Sequence, residues 1–225
     1  MSKKVFLGVG HGGKDPGAVA NGFEEADLNL AIALACSAEL TRHGVSVLLS
    51  REKDETEDLA ARIKECNAFA PDLALDIHNN AGGGDGAEVY HHYKGGTGKT
   101  LAVNILDEMV KIGQNSRGAK TKTNASGKDY FGWIRNTKAP AVIVECAFLD
   151  NKKDIQIIDT AEEQVVMGVA IAKGILKTLG IAYKAPAAAN TGKLYRVQVG
   201  AYSVKANAEA MQKKLKAAGF DAVIV

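Results

Sequence analysis

The sequence has no uninterrupted apolar run of the roughly 18 residues that a membrane span requires, and its first residues lack the apolar segment of a secretory signal peptide. We therefore expect a protein that is made in the cytoplasm and does not insert into a membrane. An excess of one charge is also missing, since 28 Lys and Arg stand against 26 Asp and Glu for a net charge of +2. This balance does not indicate nucleic-acid binding.

Cysteine is scarce as well, which bears on the redox state of the protein. The three cysteines, Cys36, Cys66 and Cys146, are an odd number without the spacing of a disulfide framework. Each lies in an apolar pattern, so we expect reduced core residues. The chain has 225 residues, 46% of them hydrophobic and 24% charged. These values exclude a disordered or fibrous protein and allow one full domain with at most a small second module.

Short apolar runs alternate along the chain with segments of helical length. Runs rich in Val, Ile and Leu are typical of strands buried on both faces, and they occupy residues 5–9, 45–49, 73–77 and 141–144. Helical periodicity joins two sets of residues: Leu28, Ile32, Cys36 and Leu40, and then Val165, Val169, Ala172, Leu176 and Leu179. The alternation predicts an α/β domain over residues 1–181, with a mostly parallel sheet and helices on both faces.

A small, polar, proline-containing segment over residues 182–193 predicts a linker, and a second module follows over residues 194–225. Residues 195–199 alternate like a half-buried strand, a helical face follows (Ala208, Met211, Leu215 and Ala218), and residues 221–225 begin a second strand. Gly219 stands where a helix most easily ends. A βαβ module this small cannot bury both faces of its own sheet, so it needs a partner surface.

One glycine-rich motif matches the fingerprint of a dinucleotide site but lacks the helix that such a site needs. Residues 8–13, GVGHGG, follow a predicted strand and fit the G-x-G-x-x-G dinucleotide fingerprint. A dinucleotide site needs a helix to begin at that turn, but residues 14–17 continue as a loop. The spacing therefore argues against a dinucleotide site.

Chemically active side chains follow the predicted strands. His11 comes after the first strand, His78 and Glu145 end two others, and Glu25 begins the first helix. Ligands of open α/β sheets bind at the carboxyl ends of the strands, so these side chains can converge. Two histidines and a carboxylate form a known catalytic zinc set, with a second carboxylate as base. The alternative is that histidines lie near strand ends for no chemical reason. Similarly, Tyr130, Phe131 and Trp133 form either a stacking wall for a sugar or part of the core.

Several segments together resemble the zinc-dependent N-acetylmuramoyl-L-alanine amidases, in unbroken order over about residues 4–180. They are HGGKDPGA from His11, EADLNLAIA from Glu25, SREKD, AARIKECNA, DIHNNA at 76–81 and IRNTKAPAVIVECAFLDN at 134–151. The resemblance implies that His11, Glu25 and His78 bind one zinc ion and that Glu145 is the catalytic carboxylate. It also implies that Arg135 supports the site or the substrate.

The sequence departs from the family motif at two places. Gly8 and Val9 stand where the family usually has Asp and Pro, which leaves open what orients His11. Asp76 stands where the family commonly has serine, on the same strand face as His78. There it either supports the site through His78 or perturbs the charge of the zinc ion.

The tail resembles one repeat of the SPOR-like modules that follow such amidases in spore-forming bacteria, whereas a complete SPOR domain resembles two βαβ units side by side. Such modules bind peptidoglycan, and six bases against two acids over residues 193–225 suit an anionic wall. We expect the repeat to pair with its copy in a second chain and form a homodimer through the tail. The alternatives are that it docks on its own catalytic domain or frays.

The resemblance implies a peptidoglycan hydrolase that cleaves the amide bond between the lactyl group of N-acetylmuramic acid and L-alanine. Its partners would be the glycan strand and the stem peptide, with no nucleic acid and no membrane insertion. Without a signal peptide, it would reach the wall after lysis or release, as a sporulation enzyme or a phage endolysin. A zinc peptidase with the same residues and a non-catalytic wall-binding protein are the rival interpretations.

Overall fold

The computed structural model describes residues 2–186, 199–220 and 222–224. The chain divides into two compact units, Met1–Lys184 and Ala185–Val225. Within the described ranges, no helix is both long enough and apolar enough to cross a membrane.

The first unit is built on a six-stranded sheet with strand order β4-β1-β5-β8-β6-β7. Its strands are β1 (Lys4–Val9), β4 (Ser46–Leu49), β5 (Leu73–Asn80), β6 (Ala87–His91), β7 (Ser116–Lys120) and β8 (Ala141–Phe148). Strands β4, β1, β5 and β8 are parallel, whereas β6 pairs with β8 in the antiparallel direction and with β7 in parallel. A separate two-stranded hairpin, β2 (Val19–Ala20) and β3 (Phe23–Glu24), lies between β1 and the first helix. The predicted, mostly parallel sheet is confirmed.

Helices cover both faces of this sheet, as predicted. Three long helices pack over one face around the larger hydrophobic core, namely α1 (Glu25–Arg42), α3 (Thr97–Lys111) and α5 (Ala161–Leu179). The other face carries α2 (Leu59–Phe69) and the short α4 (Gly132–Asn136) over a smaller core. A 3-10 turn (Ile155–Ile157) precedes α5. Cys36 and Cys146 lie in the larger core and Cys66 in the smaller one, all buried and unpaired.

Helix α5 is where the periodicity placed it, and Ala172 and Leu176 of its predicted face are buried, but the face needs correction near the start of the helix. Val165 is 52% exposed, whereas Met167, Ile171 and Ile175 are fully buried. The reason is close helix packing at glycines. A Cβ on Gly168 would lie 2.6 Å from the carbonyl oxygen of Ile32 in α1, and one on Gly174 would lie 2.6 Å from Cα of Ile105 in α3.

The second unit contains α6 (Lys205–Ala217), at the position of the predicted helix. Gly219 follows it with a φ of +84°, and the amide of Phe220 donates to the carbonyl of Leu215 at 3.0 Å, which is the expected glycine-dependent helix end. The predicted strand over 195–199 falls almost entirely outside the described residues, as does most of the linker. Residues 222–224 are not in a strand. The domain limits 1–181, 182–193 and 194–225 therefore stay predictions.

Candidate active site

The central strands present different chemistry on their two faces. Along β5, Leu73, Leu75 and Ile77 point into the larger core, while Asp76 and His78 lie on the opposite face because side chains alternate. Strands β5 and β8 also run further than the sequence predicted, so His78 and Glu145 lie inside them rather than at their ends. The prediction stopped where the apolar run stopped, but a strand with one face open to a cleft continues through polar residues.

The turn after β1 brings His11 next to His78. His11 has a φ of +61°, an uncommon conformation for a residue with a side chain. A Cβ on the neighbouring Gly10 would overlap the His78 ring, so glycine is required for this approach. The two imidazole rings have centroids 5.0 Å apart at right angles. The chain then runs on to Glu25 before α1 begins, so the turn presents no helix N-terminus to a dinucleotide.

Glu25 lies between the two histidines. As the first residue of α1 it is only 4% exposed, with Oε2 3.2 Å from Nε2 of His11 and Oε1 2.9 Å from Nδ1 of His78. One ligand atom from each of these three residues lies within 4.8 Å of the others. The amides of Ala18 and Asn79 also donate to the Glu25 carboxylate, at 3.0 and 3.2 Å. The structure thus brings the three residues of the predicted ligand set together.

The charges of this cluster stabilise one another. Burial alone would raise the pKa of Glu25, but its hydrogen bonds with His11 and His78 hold that pKa well below its usual value. Burial would lower the pKa of His78, yet the adjacent Asp76 carboxylate, with Glu25, raises that pKa well above its usual value. A buried carboxylate between two half-buried imidazoles offers lone pairs that a bound cation can stabilise in place of protons.

Two further carboxylates contact the histidines at the ring nitrogens that do not face Glu25. Oδ2 of Asp15 lies 2.8 Å from Nδ1 of His11, and Oδ2 of Asp76 lies 3.4 Å from Nε2 of His78. Asp15 answers the question that the missing aspartate at position 8 left open, because it can fix the orientation of the His11 ring. Sequence reasoning missed it, although its position four residues after His11 in the same turn was the available signal.

Glu145 lies next to His78 in the sheet, since the two residues are Cα partners of β8 and β5 and share a face. Burial raises the pKa of Glu145 to about 7, and the nearby carboxylates of Glu25 and Glu88 contribute in the same direction. A carboxyl group with a pKa near neutrality can both accept and return a proton at physiological pH.

The cluster opens into a cleft of about 260 Å³. Leu59 from α2 and Phe131 beside α4 line its sides, and the remaining lining residues are His11, Asp15, Glu57, Arg62, Asp76, His78, Gly132, Trp133 and Ile143. Trp133 is 1% exposed and donates from Nε1 to the Val142 carbonyl at 3.1 Å, which makes it a core residue with one edge at the cleft. Tyr130 is 51% exposed.

Arg135 lies apart from the histidines and does not line the cleft. Its Nη1 donates to the carbonyl oxygens of Asp129 and Tyr130, at 2.6 and 2.9 Å. These bonds tie down the loop that leads to Phe131, so any influence of Arg135 on the site passes through that loop.

Known proteins resemble this chain over both of its units. The sequence profile described as N-acetylmuramoyl-L-alanine amidase matches residues 5–177, and the SPOR domain profile matches residues 171–225. The sporulation-specific N-acetylmuramoyl-L-alanine amidase of Bacillus subtilis is 35% identical over 99% of this chain and 84% of its own length. The endolysin of Bacillus phage SPP1 is 36% identical over 82% of this chain and 69% of its own length. The solved structure of Cwp6 from Clostridium difficile gives a TM-score of 0.78 at 40% identity, covering 80% of this chain and 30% of its own.

Proposed function

The chain belongs to the N-acetylmuramoyl-L-alanine amidase family, and on that basis we propose that it hydrolyses the amide bond between the lactyl group of N-acetylmuramic acid and L-alanine in peptidoglycan. The observation that carries the proposal is the cluster of His11, Glu25 and His78, whose two histidines line a cleft, with Glu145 beside His78 in the sheet. The products are a glycan strand freed of its peptide and a stem peptide that begins with L-alanine.

The donor set fits a zinc ion. Two imidazoles and one carboxylate with ligand atoms within 4.8 Å of one another match a known catalytic set that leaves a position for water or substrate. His11 would bind through Nε2 and His78 through Nδ1, because these are the ring nitrogens that face Glu25. When bound, the metal supplies Lewis acidity that polarises the scissile carbonyl and lowers the pKa of water.

Glu145 moves the proton in this mechanism. Its carboxylate accepts a proton from the attacking water as the new bond to the carbonyl carbon forms. It then delivers that proton to the nitrogen of L-alanine as the carbon–nitrogen bond breaks, because an unprotonated amine anion is a poor leaving group. Arg135 affects substrate binding indirectly, because it holds the loop that leads to Phe131, a residue that lines the cleft.

The second unit is proposed to hold the enzyme on peptidoglycan, which the SPOR match supports. The proposed site of action is the cell wall, after lysis or release. Two rival functions remain, a zinc peptidase and a wall-binding protein without activity. Digestion of purified walls separates all three. The amidase exposes new L-alanine amino termini in a chelator-sensitive way, a peptidase cuts only within peptides, and a binder sediments with walls without cutting.

The pH dependence tests the environment of Glu145. Glu88 is the Cα partner of Glu145 on β6, is 3% exposed, and pairs with Arg117 and Lys120. Because Glu88 helps to raise the pKa of Glu145, Glu88→Gln is expected to lower that pKa. The base must be ionised to accept a proton, so activity rises with pH through this pKa. The acid limb of the kcat/KM profile should move to lower pH in Glu88→Gln, by on the order of one unit.

The matched control for this measurement is Glu162→Gln, which removes an exposed carboxylate from the first turn of α5. Its acid limb should coincide with that of the parent enzyme. An unchanged limb in Glu88→Gln would contradict the assignment of Glu145 as the titrating base.

We propose a homodimer because several apolar side chains of the second unit are exposed. Val199, Phe220 and Val223 are 62%, 64% and 78% exposed, and no residue of α6 is buried. A two-fold interface needs only one self-complementary patch. Equilibrium sedimentation of the full chain at tens of micromolar should therefore give a dimer, and a chain ending at Lys184 should give a monomer. A monomeric full chain, or a dimer that survives the truncation, would refute the pairing.

A further inference from the structure

Gly8 and Asp76 lie side by side on two neighbouring strands of the sheet. They are Cα partners of β1 and β5, and a Cβ built on Gly8 would lie 2.5 Å from Oδ1 of Asp76 and 3.1 Å from Cδ of Arg62. Gly8 does not have a positive φ, so its backbone would accept other residues. The requirement for glycine therefore comes from the Asp76 carboxyl group, which fills the space of a side chain at position 8.

The Asp76 carboxylate is buried and fully engaged. It is 2% exposed and accepts two hydrogen bonds from Nη1 of Arg62, at 2.9 Å to Oδ1 and 3.1 Å to Oδ2. Arg62 in turn donates from Nε to Oε2 of Glu57 at 3.0 Å. A buried carboxylate that is paired in this way keeps its charge.

The same carboxylate also faces the ring of His78. Its Oδ2 lies 3.4 Å from Nε2 of His78, while the other ring nitrogen, Nδ1, lies 2.9 Å from Oε1 of Glu25. A neutral imidazole carries its proton on one nitrogen only, and the hydrogen bond of one nitrogen decides the role of the other. Both carboxylates can only accept, so each favours a proton on the nitrogen that it faces. When a cation replaces the proton on Nδ1 beside Glu25, the carboxylate of Asp76 holds the remaining proton on Nε2.

We propose that Asp76 is a positioning residue, which keeps the proton of His78 on Nε2 and thereby presents Nδ1 as a lone-pair donor to the zinc ion. The inference rests on the proposed zinc site. Gly8 has a defined part in it, since it leaves room for the carboxylate. An aspartate at position 8 could supply the same charge from β1, but only if position 76 were small.

The experiment compares zinc affinity and the protonation of His78 in full-length variants. Asp76→Asn keeps the shape but offers an amide that can donate to Nε2, so zinc affinity in chelator competition should fall by about 10- to 100-fold. Nitrogen NMR of the metal-free chain, at a pH where the ring is neutral, should show a smaller share of His78 rings with the proton on Nε2 than in the parent, because only Glu25 then offers a carboxylate to the ring. Asp107→Asn, which removes an exposed carboxylate paired with Lys177, is the matched control and should change neither reading.

A rescue separates positioning from a purely structural role as the partner of Arg62. Asp76→Ser should lose affinity, Gly8→Asp alone should lose it because of the clash, and the Gly8→Asp, Asp76→Ser double variant should recover most of it. Parental affinity and an unchanged His78 tautomer in Asp76→Asn would overturn the proposal, as would a double variant no better than Asp76→Ser. If the parent chain binds no zinc, the proposed function fails, while the tautomer of the metal-free chain still decides the role of Asp76.

Discussion

Replacing Glu145 with glutamine is expected to lower turnover on purified walls by roughly 10²- to 10⁴-fold while the zinc content of the protein stays that of the parent. Glutamine keeps the shape and the hydrogen bonding of the side chain but cannot accept a proton from water. The metal is unaffected because Glu145 is not one of the three residues whose ligand atoms cluster. Release of L-alanine amino termini and elemental analysis of the same sample measure the two effects.

The control for this variant is Glu88→Gln, which removes the neighbouring buried carboxylate on β6 without touching the proposed base. It should retain turnover at a pH above its shifted acid limb. Parental turnover in Glu145→Gln would remove the residue from the mechanism. Loss of zinc from that variant would instead make Glu145 a ligand.

The second large effect concerns the metal itself. His78→Ala is expected to lose most of the bound zinc, and wall hydrolysis with it, because it removes one of the three proposed protein ligands. Glu25→Gln should weaken zinc binding as well, since a neutral amide replaces the charge between the two histidines. Elemental analysis of the purified variants gives the zinc content per chain.

His92→Ala provides the matched control, because His92 also pairs with a carboxylate, at 3.0 Å from Asp129, but lies outside the cluster. It should keep the zinc content of the parent protein. A full complement of zinc in His78→Ala would show that the metal binds elsewhere.

The elements that the sequence predicts well are those in which burial alone decides the pattern. Leu28, Ile32, Cys36 and Leu40 recur every four residues, and all four are buried in α1. Where the position of an element has another cause, the sequence did not predict the element or predicted its buried face only in part. Strand β7 (Ser116–Lys120) lies at the edge of the sheet, has no buried residue and has no apolar run to reveal it. The buried face of α5 depends on glycines, which carry no side chain to be counted.

The candidate site divides in the same way. Topology explains why His11, His78 and Glu145 converge, since β1, β5 and β8 are parallel neighbours and all three residues lie in or just after the carboxyl-terminal halves of these strands. Glu25 could be placed near them because it begins the first helix after the glycine-rich loop, whereas its role as a ligand followed from the family resemblance. The contacts that orient the ligands were beyond sequence reasoning, because the hydrogen bond of Asp15 depends on the left-handed turn at His11. The approach of Asp76 to the ring of His78 depends on the absence of a side chain at Gly8 on the neighbouring strand.

Strand β8 comes last in the sequence among the strands of the described residues, yet it lies between β5 and β6 in the sheet. While a ribosome is still translating the preceding residues, β5 and β6 have no strand to join them, and each keeps an open edge that invites aggregation. The strand that closes this gap also carries Glu145. A chain that stops short of β8 therefore has neither a continuous sheet nor the proposed proton carrier. The proposed hydrolytic activity therefore requires that the ribosome has already translated β8, one of the two central strands of the sheet.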